Sequence, residues 1–581
     1  MYNGMGAGGA ESGQPMFKTP PSAAVLLLVI AGGTAAAEPA PDVYDSPIPP
    51  VALGEIDRIV FARLASAGVR PVLCSDAVFI RRAYLDATGT LPTADEVRAF
   101  LKDPDTRAKR RALIDRLLGQ DAYADYWAMR WGDVLRIKAE FPVNLWPNAA
   151  QAYHRWVRAS IAENKPYDRF ARELLTSSGS NFRVGPVNFY RAVQSKTPET
   201  IASAVALTFM GSRTDAWPPE RLKAMSVFFS QIGYKPTSEW KEEIVFWDPL
   251  RTAAAAGNAA PGEPAVAAVV KASSLESSTT AAPAVAPPSE AVLPDGTTVA
   301  LPRTRDPREV FADWLITPEN PWFTRSIVNR VWAWLLGRGL VHEPDDLRED
   351  NPPSDPRLLE HLEREMVAGG YDLKRFIRTV MTSSTYQLSF RPPGGAAADV
   401  PLAAYPLRRL EAEVLIDAIN RITGTTDFYS SPIPEPFTNI PKHMPAVAIA
   451  DGSITSPFLA LFGRSARATG LFSERDEKPV PAQWLHLLNS SHIQQKIERS
   501  PSLRAIFDSG RSTREVAETL YLVILSRLPT EEEVKVVEAY GAGGPAAKPA
   551  KGGKSGSGKR REDWADIVWA LLNSNEFLFR H

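Results

Sequence analysis

The 581-residue chain contains a single cysteine, Cys74. One thiol cannot form an intrachain disulfide, and it cannot supply the paired cysteines of a zinc site or of a c-type haem attachment. A lone thiol without an obvious base is rarely a nucleophile, so we interpret Cys74 as a small residue at the start of a helix. We therefore expect no haem and, without any other cofactor motif, no cofactor.

The chain also lacks an excess of charge of either sign. It has 66 lysines and arginines against 67 aspartates and glutamates, a formal net charge of −1. A balance this even gives no long-range field that would hold DNA, RNA or an anionic membrane. The lysines within residues 541–559 are more typical of a solvated flexible segment than of a nucleic-acid tail. We expect no nucleic-acid partner.

Familiar catalytic and metal-binding motifs are absent from the sequence. It has no Gly-x-Ser-x-Gly elbow, no glycine-rich phosphate loop, and no His-x-x-x-His or His-Glu-x-x-His among its 7 histidines. His486 and His492 would lie on different faces of a continuous helix, so we expect them to be exposed or hydrogen-bonded, and we expect no metal site. Carboxylate pairs are numerous, which leaves a two-acid hydrolase open.

The sequence also lacks an apolar run long enough to form a membrane-spanning helix, which needs about 20 residues. The apolar run of residues 23–31 is short, follows a lysine and precedes the small residues that end at Ala37. This order is typical of a secretory signal peptide, so we predict that residues 1–37 are removed. The mature chain would be secreted or periplasmic and would have no transmembrane anchor. Met1 and Met16 are alternative start sites.

Apolar residues recur at helical spacing along most of the chain, and strand-like alternation is scarce. The sequence therefore predicts a mainly α fold of two multi-helix domains, residues 54–250 and 303–581. Between them, Asp295-Gly296 favours the positive backbone angles of a two-residue turn and predicts a β-hairpin, or small β-ribbon, at 291–302. The remaining predicted segments are a Pro-rich extended stretch at 38–53, a disordered linker at 251–290 and a flexible insert at 541–559.

Two stretches of the chain share one pattern. Tyr84-Leu85 stands before Leu91-Pro-Thr93 at the spacing that also separates Tyr521-Leu522 from Leu528-Pro-Thr530. Each copy predicts a helix, a tight turn and a second helix capped by its threonine. The acids that open each second helix would repel phosphate, unlike a DNA-reading helix. In the second half, apolar periodicity predicts helices at residues 308–315, 322–336, 356–368, 373–382, 409–423, 480–489, 513–526, 531–540 and 563–577.

Two series of short motifs cover most of the mature chain. The first is Ile56-Asp-Arg58, Arg82 to Thr93, Leu113 to Leu118, Trp131 to Leu135 and Asn164 to Leu175. The second is Asp306-Pro-Arg308, Asn329 to Trp332, Gly337 to Val341, Asn351 to Ser354, Arg408 to Glu413, Leu485 to Asn489 and Leu572 to Phe577. Through these motifs, residues 55–250 resemble the domain of unknown function 1549, the planctomycete cytochrome-associated second domain. Residues 303–581 resemble its usual partner, the domain of unknown function 1553.

The resemblance implies an exported protein of planctomycete-like or verrucomicrobia-like bacteria. Relatives often carry a fused c-type cytochrome domain, and the resemblance implies no molecular activity. Relatives also commonly have Cys-x-x-Cys-His where this chain reads Met210 to Trp217, and cysteines near the segment that reads Thr469 to Asp476 here. Neither segment contains a thiol in this chain, so we do not extend haem or metal binding to it.

Polar residues gather in the second half of the sequence. One interpretation is a groove that binds a ligand with hydroxyls or carboxylates. The other, which we favour, is a buried arginine–carboxylate network that fixes how helices dock. Trp322, Trp332 and Trp334 similarly predict either a sugar-stacking platform or, more often, a filled helical core. The candidate ligand-binding residues are Arg325, Asn329, Arg330, Asp346, Glu349, Asn351, Arg408, Arg409, Glu411, Glu474, Arg475 and Asp476.

These features favour a non-catalytic binding or scaffold protein, exported to act beside partners in the cell envelope or outside the cell. Two other functions stay open. One is a hydrolase or lyase that acts on complex glycans outside the cytoplasm, and the other is a haem-free relic of a cytochrome-linked electron-transfer system. A deep cleft with two carboxylates at hydrolase separation would favour the hydrolase. A packed ion network without a cleft would favour the binding protein.

Overall fold

The structure is a computed structural model that describes residues 42–251, 287–391, 400–541 and 559–581. About 52% of it is helical and its sheets are small, so the prediction of a mainly α fold is confirmed. The predicted signal peptide lies outside the described residues, as do most of the predicted linker and most of the predicted insert. Within the described ranges, no helix combines the length and the apolar surface that a membrane crossing requires.

Short connections link the helices of the first half. Side-chain oxygens of Ser75, Thr93 and Asp105 accept hydrogen bonds from amides that the following helices would otherwise leave unpaired. The helices are α1 (Glu55–Ser66), α2 (Asp76–Thr88), α3 (Ala94–Lys102), α4 (Thr106–Leu118), α5 (Asp121–Val134), α6 (Pro147–Ala162), α7 (Tyr167–Thr176), α8 (Pro198–Val205) and α9 (Pro219–Ser226). A π-helical turn, Ala206–Met210, continues α8.

The second half is also built from helices, several of them short. They are α10 (Pro307–Leu315), α11 (Phe323–Leu336), α12 (Pro356–Ala368), α13 (Leu373–Thr382), α14 (Ala412–Thr423), α15 (Pro457–Leu461), α16 (Pro481–Asn489), α17 (Ser491–Glu498), α18 (Pro501–Phe507), α19 (Thr513–Leu525), α20 (Glu531–Ala539), α21 (Arg561–Leu572) and α22 (Asn575–Leu578). The predicted helix 563–577 is therefore two helices, because Ser574 caps a new one.

Three small antiparallel sheets accompany the helices. The first contains β1 (Gly179–Ser180), β2 (Ile232–Pro236) and β3 (Glu243–Trp247) in the order β1-β3-β2, and the third pairs β6 (Arg408–Arg409) with β7 (Phe579–Arg580). Pairing of β6 with β7 explains why α14 begins at Ala412 and not at the predicted Arg409. The second sheet is the predicted hairpin, β4 (Glu290–Val292) and β5 (Thr298–Ala300), whose turn uses a positive φ at Gly296.

The two copies of the shared sequence pattern pack against each other. The first forms α2 and α3, the second forms α19 and α20, and Thr93 and Thr530 each open a capping box as predicted. α3 packs on α19, and the Arg81 guanidinium of α2 donates to the Ile524 carbonyl of α19 at 2.8 Å. The sequence repeat thus corresponds to two helix pairs joined face to face.

The described residues from Val43 to His581 form one compact unit. The Arg82 guanidinium of α2 donates to the Tyr386 carbonyl at 2.6 Å and to the His581 carbonyl at 2.9 Å. Cys74 is buried directly before α2, and its amide donates to the Gln387 carbonyl at 2.9 Å. The two predicted helical halves therefore contribute to a common core, while their exact domain bounds stay a prediction.

Helix α11 runs through this core. Trp332 and Trp334 are buried, and Trp334 meets the rings of Trp127 and Trp131 on α5, each at a centroid distance of 5.6 Å. Trp322 is partly exposed and lies beside Trp314. Trp334 thus joins α11 to α5, and Trp332 and Trp334 both fill the helical core, as the core interpretation expected.

His486 and His492 lie on successive short helices, α16 and α17. The chain breaks between these helices, so the expected placement on different faces of one helix does not apply. Nε2 of His486 lies 3.4 Å from Nδ1 of His492, whose Nε2 lies 3.3 Å from the Asp427 carboxylate. Both histidines are therefore hydrogen-bonded, one of the two states that the sequence predicted.

Candidate functional site

The candidate residues of the second half do not meet at one place. Arg325 on α11 pairs with Glu363 on α12 at 2.6 Å, and its side chain is 42% exposed. Asn329 is buried, and its side-chain amide donates to the Val341 carbonyl at 2.9 Å and accepts from the Val341 amide at 3.0 Å. These contacts fasten α11 to α12 and to the loop that follows α11.

Arg330, like Asn329, is a buried residue that holds neighbouring segments together. It is buried, pairs with Asp345 at 3.2 Å and donates to the Thr208 carbonyl at 2.7 Å. Asp345 also accepts from the Phe472 amide. Arg330 therefore ties α11 to the π-helical turn after α8 and, through Asp345, to the segment around Phe472.

Asp346, Glu349 and Asn351 lie in the loop after α11. The side-chain amide of Asn351 donates to the carbonyls of His342 and Asp346, both at 2.9 Å. The Asp346 carboxylate pairs with Arg348 at 3.0 Å, and Glu349 is exposed. These contacts all lie within the loop and hold its backbone in shape.

Glu474 lies in the segment where relatives often have cysteines. Its carboxylate accepts from the backbone amides of Ala468, Thr469 and Gly470 at 2.7, 3.2 and 3.2 Å. Three amide donors on one carboxylate fix the shape of a turn. We infer that Glu474 is a structural residue.

The other candidates gather at one cleft of about 520 Å³, which we call the arginine cleft. Arg408, Arg409, Arg475 and Asp476 line it, and Glu411 is buried close to Arg130 in its wall. Its other charged or aromatic lining residues are Arg130, Asp133, Trp334, Glu343, Phe472, Glu477, Lys478 and Phe579.

Glu411 stands at the centre of a first buried network. It pairs with Arg580 at 2.7 Å and with Arg130, and it accepts from the Tyr126 hydroxyl at 3.1 Å. Arg580 also pairs with Asp86 at 2.8 Å. The network therefore joins α2, α5, β7 and the residue that precedes α14.

Arg475 stands at the centre of a second network. It pairs with Asp133 of α5 at 2.8 Å and with Glu413 of α14 at 2.6 Å. Arg467 pairs with the same Asp133 at 3.0 Å, and Arg464 pairs with the same Glu413 at 3.2 Å. Both networks have the helix-docking arrangement that the sequence favoured.

The charges of the second network stabilise one another. Burial alone would raise the pKa of Glu413, but Arg475 and Arg464 outweigh it and lower the pKa to about 2. Burial would lower the pKa of Arg475, but Asp133 and Glu413 raise it well above its usual value. These groups stay charged in the folded protein at neutral pH because their partners are in place.

Arg408 reaches the cleft at the C-terminal end of α11. Its guanidinium donates to the carbonyls of Trp334 and Leu335 at 3.0 and 2.8 Å, which helix geometry leaves without amide partners. Gly337 ends α11 with a φ of +71°, and a Cβ at that position would collide with the Arg408 side chain. Arg408 also faces Asp86 at 3.4 Å.

Arg409 differs from the other arginines of the cleft. Its guanidinium donates to the carbonyls of Leu410, Phe462 and Asp476 at 2.9, 2.8 and 2.9 Å, and no carboxylate pairs with it among the described residues. Its Nε has no hydrogen-bond partner in the described ranges. Burial lowers the pKa of Arg409, although the carboxylates of Glu477 and Asp476 oppose the effect. Its positive charge is thus buried without an ion-paired carboxylate among the described residues.

This arrangement can recognise a negatively charged group. A guanidinium presents planar, directed donors that match carboxylate or phosphate oxygens. Asp133 is already engaged by Arg467 and Arg475, and Glu477 faces Arg130 at 3.7 Å.

Among the described residues, no group of three or more His, Cys, Asp or Glu side chains is placed to hold a metal ion.

Sequence reasoning missed several charged residues of this site. Asp133 and Glu413 lie inside the motifs that carry the family resemblance. Their place in those motifs could have marked them as candidate site residues. Arg130 stands just before one of those motifs, and Arg580 stands outside them. Their carboxylate partners are far away in the sequence, so only the fold places them together.

The fold and the cleft define a mainly α protein whose two sequence halves are joined by buried arginine–carboxylate networks. Residues 55–215 match the family PSCyt2, a protein of unknown function (DUF1549), and residues 307–540 match PSD1, a protein of unknown function (DUF1553). The chain belongs to the proteins that combine these two domains, as its motifs predicted. No curated protein matches the chain, and no solved structure matches it.

Replacing Arg580 tests the first network. Arg580→Met should lower the free energy of unfolding by ~3–5 kcal/mol, because it leaves Asp86 and Glu411 buried without their shared partner. Arg325→Met is the control, and it should cost ~0–1 kcal/mol because its pair with Glu363 is partly exposed. Denaturant unfolding followed by circular dichroism measures both, and equal losses would refute the role given to Arg580.

Replacing Glu413 tests the second network through pH. The pKa of Glu413 falls from about 4.5 to about 2 on folding, so its contribution to stability is complete above about pH 4.5 and is lost as the pH falls towards 2. The difference in unfolding free energy between wild type and Glu413→Gln should therefore be largest at neutral pH and shrink below pH 4.5.

Glu363→Gln is the matched control for this experiment. Its partner Arg325 is partly exposed, so the substitution should change stability little at any pH. Denaturant midpoints measured from pH 7 down to pH 3 compare the two variants. A difference between wild type and Glu413→Gln that stays constant over this range would contradict the assignment.

Proposed function

We propose that this chain is a non-catalytic binding protein that acts outside the cytoplasm and holds a negatively charged group of its ligand in the arginine cleft. The observation that carries the proposal is the buried guanidinium of Arg409, which is bound only by carbonyls. A buried charge without a directly paired carboxylate is costly, and an anionic ligand would supply that partner.

The surroundings of Arg409 support the same ligand chemistry. Arg130, Arg408 and Lys478 also line the cleft, so a ligand anion would meet several donors. Arg408 and Arg130 are fixed by their contacts with Asp86 and Glu411, which removes most of the entropy cost of positioning them. Lys478 lies at the accessible rim.

The cleft favours binding over hydrolysis. A glycoside hydrolase of the usual two-carboxylate kind needs one carboxyl group that delivers a proton and a second that acts as base or nucleophile. In the arginine cleft Asp133 is engaged by two arginines, and Glu477 faces Arg130. The packed networks expected for a binding protein are thus accompanied by a cleft, and Arg130, Asp133, Arg408, Arg475 and Glu477 of its lining are ion-paired.

The location outside the cytoplasm rests on residues 1–37. Their apolar core, preceding lysine and terminal Ala-x-Ala are the pattern that signal peptidase reads. The partners would then be components of the cell envelope or secreted molecules.

Calorimetric titration tests the proposed ligand chemistry with succinate, phosphate, glucuronate and galacturonate as probes. At least one should bind, and Arg409→Gln should weaken it about tenfold or more, because a hydrogen bond to a charged group is worth ~1.5–3 kcal/mol. Lys478→Gln, at the rim, should weaken it less and should lower its salt dependence.

Arg325→Gln is the control for this titration, because Arg325 pairs with Glu363 and does not line the cleft. It should leave the affinity unchanged. If none of the four anions binds, or if all three variants bind like wild type, the cleft is not an anion site and the proposal is wrong.

Export is tested by expressing the full chain in a Gram-negative host and sequencing the N-terminus of the periplasmic product. The mature chain should begin at Glu38, because Ala35 and Ala37 are the small residues before the cleavage site. Ala37→Arg should block processing, while Ala36→Arg, at the position between them, should not. Retention of unprocessed wild-type chain in the cytoplasm would contradict the proposed location.

A further inference from the structure

A second cavity lies in the loop that follows α14. Residues between Thr426 and His443 line it, and its volume is about 570 Å³. It shares no lining residue with the arginine cleft. One continuous stretch of chain therefore builds this site, which we call the loop cavity.

Three polar atoms of the loop cavity have no hydrogen-bond partner among the described residues. They are the Tyr429 hydroxyl, the Thr438 hydroxyl and Oδ2 of Asp427, all of them buried atoms. Tyr429 and Thr438 are only 4% and 6% exposed. A buried polar atom without a partner costs ~1–3 kcal/mol, so three in the lining of one cavity point to groups that a ligand supplies.

The charges around the cavity favour a neutral ligand. Asp427 uses its other oxygen, Oδ1, to accept from the Phe428 amide at 2.9 Å and to face His492 at 3.3 Å. An anion would be repelled by the free Asp427 oxygen. The lining also contains the carboxylate of Glu435 and the ammonium of Lys442, so a charged ligand of either sign would meet a like charge. A ligand without net charge avoids both penalties.

The walls of the cavity combine these polar atoms with apolar side chains. Ile433 and Ile440 belong to the lining, as does Phe428, a residue that is 81% exposed. An exposed aromatic face packs well against the C–H face of a pyranose ring, and the amphipathic side of such a ring also fits apolar walls.

We propose that the loop cavity binds a neutral sugar residue through Tyr429, Thr438 and Asp427. Each hydroxyl of the protein can donate to or accept from a sugar hydroxyl, and Oδ2 of Asp427 accepts from another. Phe428 stacks on the ring. This site is independent of the arginine cleft, so the two proposals stand or fall separately.

Saturation-transfer NMR on the purified mature chain tests the proposal with glucose, galactose, mannose and N-acetylglucosamine as probes. At least one should receive saturation from the wild-type protein. Tyr429→Phe and Thr438→Val should each weaken its affinity about three- to tenfold, because each removes one hydrogen bond and keeps the side-chain shape. The double variant should lose more than either single variant.

The same two variants separate binding from folding. Both remove hydroxyls that have no partner in the described protein, so their melting temperatures should stay at or above that of wild type. Tyr153→Phe is the matched control: its hydroxyl is also buried without a partner but lies outside the loop cavity, so sugar affinity should not change.

Three results would overturn the proposal. One is the absence of saturation transfer to all four sugars. A second is binding that Tyr429→Phe and Thr438→Val leave at the wild-type affinity. The third is displacement of the bound sugar by methylammonium or acetate. Either result would show that the cavity selects a charged group.

Discussion

The guanidinium of Arg580 occupies the position on which much of this structure depends. It lies between the carboxylates of Asp86 and Glu411, at 2.8 and 2.7 Å, and all three side chains are buried. Removing charges from water is costly, so each of these groups is stable in the core only while its partners are in place. Asp86 belongs to α2 and Glu411 precedes α14. The same ion pairs therefore dock the two sequence halves and hold the wall of the arginine cleft.

The two proposed sites are built in opposite ways. The arginine cleft collects side chains from α5, α11, β6 and the segment 471–479, and buried ion pairs hold these side chains in place. The loop cavity is made by residues 426–443, and its buried polar atoms without a partner are two hydroxyls and one carboxylate oxygen. The motifs that carry the family resemblance contribute Asp133, Arg408 and Arg409 to the cleft, whereas none of them falls in the loop.

Local signals in the sequence predicted much of the fold but little of the site. Helices such as α12 and α13 were predicted to the residue, because caps, glycines and 3.6-residue periodicity act over a few positions. The start of α14 was misplaced because β6 pairs with a strand about 170 residues later. The candidate arginines were found by residue type, yet Arg325 and Arg409 have unrelated surroundings. Burial and partner choice decide what an arginine does, and both are properties of the tertiary structure.

The contacts of α2 bear on the order of folding. Arg81 and Arg82 donate to carbonyls that lie 443 and 499 residues further along the chain. While the chain is being translated, these guanidinium groups cannot complete their contacts until Phe577 and His581 have been made. Contacts between positions so distant in sequence form slowly, because a long loop must close before they gain any energy. A polypeptide that completes its core late stays unfolded for longer, and an unfolded chain is the form that a translocation channel can thread.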